Sequence, residues 1–323
     1  MGRGAAHRGR GLAVSDLLVF GAASLVGSEF VARTAHAVHA AGRTDPRTQG
    51  FPRASFTSVD LLDETAVAEV VERSVAEVVV NFAAATDVDG VERERPATLG
   101  AAGGPAYRLN AIAPRAMAEA AQRSGKRLIT LSTDFVFDGV DGPYDERAEP
   151  APFGPKVSWY GYTKGVGEVG ARAASAATAV LRIAYPFRSG FDAKLDFARG
   201  LVARRRAGRL PPLFADQQFT PTWIPDVGRA VEHLIRSGEG GVLHAAWPEL
   251  TTPWEFGSYL FGLVDGTELR LPQGSMAEFL GKPGTTPRPR RGGLKVERLP
   301  RAGVELTGWR RAIEEFVREG GAA

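Results

Sequence analysis

Short apolar runs recur along the first half of the chain, each followed by a stretch with helical periodicity. Residues 16–20 (DLLVF) run into a glycine. GAASLVGSEFVART then follows, with Leu25, Val26, Phe30 and Val31 at helix-compatible positions, which predicts strand, tight turn and helix. A second strand is expected at 36–42 (HAVHAAG) and a short third one ending at Val59. Residues 63–75 (DETAVAEVVERSV) are amphipathic and open on acidic side chains, as a helix N-terminus favours. Residues 77–85 (EVVVNFAAA) are almost continuously apolar, the pattern of a strand buried on both faces. Residues 108–125 read as a helix stopped by Gly125, with Pro114 disturbing its early part, and 127–132 and 179–185 as further buried strands.

Strands alternating with helices imply a parallel sheet with right-handed crossovers. The fold class expected is therefore α/β, a Rossmann-type doubly wound parallel sheet with a smaller C-terminal substrate-binding domain. After about residue 185 prolines and aromatics become frequent, as in LPPLFADQQFTPTWIPDVG and HAAWPELTTPWEF. The expected division is a flexible basic leader at 1–14, a dinucleotide-binding unit at 15–186 and a mainly substrate-binding unit at 187–323. The smaller unit should pack on the C-terminal ends of the strands, where open α/β sheets bind ligands.

Composition narrows this little. The chain has 323 residues, of which 44% are hydrophobic and 24% charged, an ordinary globular balance. Cysteine is absent, which excludes disulfides, thiolate zinc sites and a cysteine nucleophile. That is compatible with a cytoplasmic location, the one expected. No apolar run approaches the roughly 18 residues of a membrane span. The N-terminal MGRGAAHRGRGLAVSD lacks the apolar core of a signal peptide. The net charge of +3 is too small to argue for nucleic acid. PRPRR at 287–291 stands apart as a candidate for a phosphate-bearing small ligand.

Gly21, Ser24 and Gly27 occupy the positions of a G-x-x-G-x-x-G turn directly after the first strand. Such a turn brings backbone close to a pyrophosphate and aims a helix N-terminus at it. Ser24 replaces the middle glycine and adds a side chain at the approach; an ordinary strand–helix turn would look similar. At the end of the second strand the sequence HAAGRT offers Arg43 and no carboxylate. Arginine accepts a 2′-phosphate bidentately, which favours NADPH and leaves NADH as an option. Asp60 could contact the adenine edge or simply cap the next segment.

VSWYGYTKGVGE (157–168) holds Tyr160, Tyr162 and Lys164. Residues four apart share a helix face, so Lys164 belongs with Tyr160, and Tyr162 is expected to pack elsewhere. A nearby ammonium favours the phenolate and lowers a tyrosine pKa, which makes the pair an acid–base device for a carbonyl. The ordinary reading is a tyrosine packed on a helix. Ser132 and Thr133 end a buried strand, where a hydroxyl can hold a substrate oxygen or merely close the strand.

The stretches FGAASLVG, VVVNFAAATDVDGVE, STDFVFDG, KVSWYGYTKGVGE, LRIAYPF, ADQQFTPTWIPDVGRA and GVLHAAWPELTTPWEF together resemble the extended short-chain dehydrogenase/reductases, in particular the dTDP-4-dehydrorhamnose reductase branch. The resemblance spans about residues 15–260. It implies a catalytic set of Thr133, Tyr160 and Lys164. It implies cofactor contacts from Gly21, Ser24, Leu25, Val26, Gly27, Arg43, Asp60, Leu61, Ala83, Ala84, Ala85, Asn110 and Lys164. It implies substrate contacts from Thr86, Asp134, Phe135, Gln218, Thr222 and Arg290. The partner implied is a nucleotide sugar, with no metal, no nucleic acid and no membrane, and the chain could form a homodimer. Phe135 stands where the branch usually has tyrosine, and the connection 96–107 is longer than usual. Two other activities stay open: a nucleotide-sugar epimerase or dehydratase holding NAD, although the Asp-Glu pair of dehydratases is missing after Thr133, and a regulatory subunit for an S-adenosylmethionine-forming enzyme.

Overall fold

Leu17 and Val19 point to one side of the first strand, Leu18 and Phe20 to the other, and all four are fully buried. That strand therefore lies inside a sheet covered on both faces. A computed structural model describes residues 16–51, 54–101, 103–190, 195–266 and 271–322; the basic leader expected at 1–14 lies outside them.

The elements of the first half are β1 (Asp16–Phe20), α1 (Leu25–Arg33), β2 (Ala37–Gly42), β3 (Ser55–Ser58), α2 (Glu64–Arg73), β4 (Val78–Asn81), α3 (Val88–Glu92), α4 (Pro105–Tyr107), α5 (Ala113–Arg123) and β5 (Arg127–Thr133). There follow α6 (Trp159–Ala174), β6 (Ala179–Ile183), α7 (Phe197–Arg206), β7 (Leu213–Phe214), α8 (Ile224–Ser237), β8 (Gly241–His244), α9 (Pro253–Asp265), β9 (Gln273–Gly274), α10 (Met276–Leu280), α11 (Arg298–Arg301) and α12 (Trp309–Arg318). Seven strands form one parallel sheet in the order β3-β2-β1-β4-β5-β6-β8. The order reverses between β1 and β4, which opens a crevice at their C-terminal ends.

Each face of the sheet has its own core. Leu17, Val19, Val80 and Leu181 pack against Phe30 of α1 and Val227, Val231 and Leu234 of α8. Leu18, Phe20, Val79 and Leu128 pack against Val67 and Val71 of α2 and Met117 of α5. A third core, rich in aromatics, joins Phe187, Phe219, Trp223, Phe256, Trp309 and Phe316 in the C-terminal part. The segment expected to be mainly substrate-binding therefore also returns to the main sheet, through β8 and α8.

Three local departures from the sequence reading bear on the site. The apolar run 77–85 stays a strand only as far as Asn81, whose Oδ1 accepts from Ala83 N at 3.0 Å and turns the chain out. That release frees Ala83, Ala84 and Ala85 from the ladder. Pro114 is accommodated by a widened π-turn at Arg108–Ile112 that runs straight into α5. β6 stops at Ile183, and two residues later Tyr185 takes a left-handed backbone with φ 45°. Below the sheet ends, Glu168 of α6 and Arg182 of β6 form a fully buried pair, with Arg182 also over the Phe137 ring at 4.9 Å. Among the described residues no helix is long and apolar enough to cross a membrane.

Candidate active site

The turn after β1 needs its glycines. Gly21 has φ +73°, and a Cβ there would lie 2.5 Å from Ala83 N; a Cβ on Gly27 would lie 2.2 Å from Gly21 O. Ser24 does not intrude into the approach. It is the N-cap of α1, its Oγ accepting from Gly27 N at 3.1 Å, so the side chain folds back onto the helix. The N–H groups of Leu25 and Val26, in the first turn, have no intrahelical acceptor and are available to an anion.

A cavity of about 420 Å³ runs from this turn past Gly42, Arg43, Asp60 and Leu61 to Ala83, Ala84 and Ala85. Arg43 is exposed at its rim. Asp45, two residues further along the chain, is engaged by Arg47 at 2.9 Å. Asp60 Oδ1 accepts from Leu62 N at 3.0 Å, so it caps the following turn while lining the cavity. A second cavity of about 330 Å³ shares Ser24 and Ala84 with the first and holds Ser132, Thr133, Tyr160, Lys164 and Tyr185. Two buried polar atoms on its wall, Ser132 Oγ and Asp134 Oδ2, have no protein partner. Glycines that admit backbone approach, free helix N–H groups and orphaned polar atoms make the joined groove fit a dinucleotide with a polar substrate beside it.

α6 starts where Ser158 Oγ accepts from Gly161 N at 3.1 Å. Tyr160 and Lys164, one turn apart, both line the second cavity. Tyr162 points away and stacks on Trp159 with centroids 5.4 Å apart. The helix sits close to the turn after β5: a Cβ on Gly161 would lie 1.9 Å from Phe135 O. Asn110 is not on the cavity wall. Its amide is consumed behind it, bonding Ala85 N at 2.8 Å, Ala85 O at 3.0 Å and Thr163 Oγ1 at 3.1 Å, while Thr163 donates to Tyr160 O. Asn110 thus braces the post-β4 segment against α6.

Electrostatics differ from the simple expectation of a lysine-activated tyrosine. Burial pushes the Tyr160 phenol up to about 12, with a hydrogen bond to Thr133 pulling down and Asp134 pushing up. Burial also draws the Lys164 ammonium down to about 8, opposed by Glu168. Lys164 Nζ donates to Leu131 O at 2.7 Å rather than to the phenol. Desolvation is the dominant influence on both, because both groups are buried. Thr133 Oγ1 accepts from Phe135 N at 3.2 Å and donates to Asp134 Oδ1 at 3.3 Å.

On the far side of the cavity stand Thr86, Phe135, Tyr185 and Leu195. Phe135 packs on Tyr160 at 5.7 Å with an edge-on tilt. Tyr185 lies 4.3 Å from Phe219 and 5.1 Å from Phe197, and its hydroxyl accepts from Gln217 Nε2 at 2.7 Å. Gln217, one residue from the expected Gln218, carries that contact. Gln218 works through its backbone, its N–H donating to Arg290 O at 2.8 Å. Thr222 is fully buried, its hydroxyl accepting from Ala184 N at 3.0 Å and donating to Ala245 O at 2.9 Å, so it ties together the segments that follow β6 and β8. Arg290 is half exposed and pairs with Asp216 at 3.3 Å. Arg288, in the PRPRR stretch, binds both oxygens of Asp89 at 2.9 Å.

Asp134 is 1% exposed, and desolvation pushes its carboxyl from 3.8 up to about 7 despite the bond from Thr133. A folded-state pKa above the unfolded one means the neutral acid is favoured in the fold. Its contribution to stability is present below about pH 4 and is lost as pH rises to about 7. Asp134→Asn should therefore gain on the parent in thermal denaturation between pH 4 and pH 8, by several degrees. A gap in Tm that does not change with pH would contradict this.

The sequence profile described as RmlD substrate binding domain matches residues 15–321. A dTDP-4-dehydrorhamnose reductase from Mycobacterium tuberculosis is 32% identical over 309 residues, covering 92% of this chain and 90% of that protein. A probable low-salt glycan biosynthesis reductase from Haloferax volcanii is 31% identical over 288 residues, covering 87% of this chain and 90% of that protein. The crystal structure of dTDP-4-dehydrorhamnose reductase from Bacillus anthracis in complex with NADP superimposes with a TM-score of 0.74 at 22% identity, over 94% of this chain and 99% of that one.

Proposed function

This chain belongs to the RmlD substrate-binding-domain family, within the extended short-chain dehydrogenase/reductases, and from that premise we propose that it reduces a nucleotide-linked 4-keto-6-deoxy sugar with NADPH. It is an NAD(P)-dependent oxidoreductase of the sugar-nucleotide reductase type. The observation that carries the finer reading is the convergence of Thr133, Tyr160 and Lys164 on one cavity that continues into the glycine-turn groove.

The turn between Gly21 and Gly27 admits the pyrophosphate, and Arg43 at the rim receives a 2′-phosphate. NADPH, when bound, supplies the hydride. The keto oxygen gains negative charge as its carbon is reduced. Thr133, its hydroxyl turned from Asp134, and Tyr160 donate to that oxygen, and Tyr160 gives up its proton to leave the alcohol. A phenol held near 12 remains protonated at neutral pH, ready to act as the acid. Lys164 then stabilises the phenolate that forms, and donors fixed in advance around the oxygen lower the barrier. Asp134 and Ser132, which line the cavity, bind sugar hydroxyls.

NADPH oxidation measured against a panel of nucleotide 4-keto-6-deoxy sugars tests this reading, and silence across the panel would sink it. Arg43→Ala should cut the ratio of kcat/KM for NADPH over NADH by about tenfold or more, the value of a charged hydrogen-bonded contact. An unchanged ratio would remove Arg43 from the 2′-phosphate site.

A further inference from the structure

The geometry points to Arg188 as a positioning residue that ties the cofactor helix to the opposite wall of the active-site cavity. The inference rests on the reductase reading above, in which the N-terminus of α1 meets the cofactor. Arg188 is 1% exposed, and its guanidinium crosses to α1, a segment 160 residues earlier in the chain. Nη2 donates to Ser28 Oγ at 2.9 Å, and Nη1 meets Glu29 Oε2 at 3.2 Å. Ser28 Oγ in turn donates to Ser24 O at 2.7 Å. A hydroxyl has one proton. With Arg188 supplying a donor, the Ser28 proton is committed to Ser24, the residue that caps α1 and lines both cavities.

The backbone of Arg188 is fixed from the other side. Its N–H donates to Asp196 Oδ2 at 3.3 Å, and its carbonyl accepts from Arg199 Nη1 at 2.6 Å. Asp196 caps α7 and, with Leu195 and Phe197, walls the second cavity opposite Ser24, Leu25 and Val26. One residue therefore links the turn that receives the pyrophosphate to the wall beside the substrate. A buried ion pair is weak evidence for stability as such, because two charges lose their hydration. Here the charge sits where it sets the spacing of two walls, and displacements near 1 Å in such positions cost on the order of a hundredfold in rate.

The test uses Ser28→Ala, which cuts the relay but keeps Arg188 with Glu29, together with Arg188→Lys and Arg188→Met. NADPH affinity is read by the fluorescence of the bound dinucleotide, alongside kcat, the KM for the sugar nucleotide and Tm. Ser28→Ala should weaken NADPH about fivefold, and Arg188→Met by about tenfold or more, with Arg188→Lys between them, in line with charge-assisted bonds. Sugar KM should move less than NADPH affinity in all folded variants. Should Arg188→Met fail to fold, Ser28→Ala and Arg188→Lys decide. If both keep parental NADPH affinity and kcat while Tm falls, Arg188 is only structural and the inference is wrong. A parent protein that binds no NADPH overturns the reductase reading and this inference with it.

Discussion

Tyr160→Phe is expected to bind NADPH as the parent does and to turn over about a thousandfold more slowly. The substitution removes one hydroxyl and leaves the ring against Phe135, so the pocket keeps its shape. Thr133 still offers a hydrogen bond to the carbonyl oxygen, and Lys164 still lines the cavity, but neither replaces the proton. Stability should hold or rise slightly, because the buried hydroxyl carries a desolvation cost that phenylalanine avoids. Parallel binding titrations and single-turnover rates separate the two effects. Undiminished turnover in this variant would end the proposed mechanism.

Gly161→Ala is expected to lower both Tm and kcat, although helix propensity alone argues the reverse. Alanine inside a helix gains about 1 kcal/mol over glycine. At this position the added carbon would stand 1.9 Å from Phe135 O, a backbone atom in the turn capped by Thr133. The atom cannot swing aside as a flexible side-chain end can. α6 must move away from β5, and Tyr160 moves with it, away from Thr133. Overpacking of this kind costs about 1–3 kcal/mol, and the lost alignment about a hundredfold in rate. A rise in Tm, as propensity would have it, would show that the close approach has slack.

The parts of this fold that the sequence discloses share a physical cause. β1, β4, β5 and β6 read as apolar runs because helices cover both faces of a parallel sheet. The pairing of Tyr160 with Lys164 is readable because a helix has a fixed period, which also sends Tyr162 to the opposite side. β8 is only the four residues GVLH, amid prolines and aromatics, and no period marks it. Gln217 and Gln218 are adjacent in an irregular segment, where nothing local says which side chain turns inward. Arg188 and Asp196 acquire meaning only through contacts with α1 and with each other. The high pKa of the Tyr160 phenol is not legible in the spacing, because burial is a property of the assembled pocket. Asn110 and Thr222 are buried near the site, and their polar atoms are spent on neighbouring backbone and, for Asn110, on the Thr163 hydroxyl.

Tyr185 binds the aromatic core and the active-site cavity into one object of selection. A tyrosine with φ 45° holds roughly 1–3 kcal/mol of backbone strain, which glycine would bear at less cost. The same side chain packs on Phe219 and Phe197, supplies a cavity wall and receives Gln217. Glycine would relieve the strain, but truncating a packed aromatic costs about 3–5 kcal/mol, so the exchange loses stability as well as the wall. A library screened for heat resistance and one screened for turnover should therefore both retain the aromatic at position 185. Glycine among the heat-resistant survivors would show that the packing here is slack.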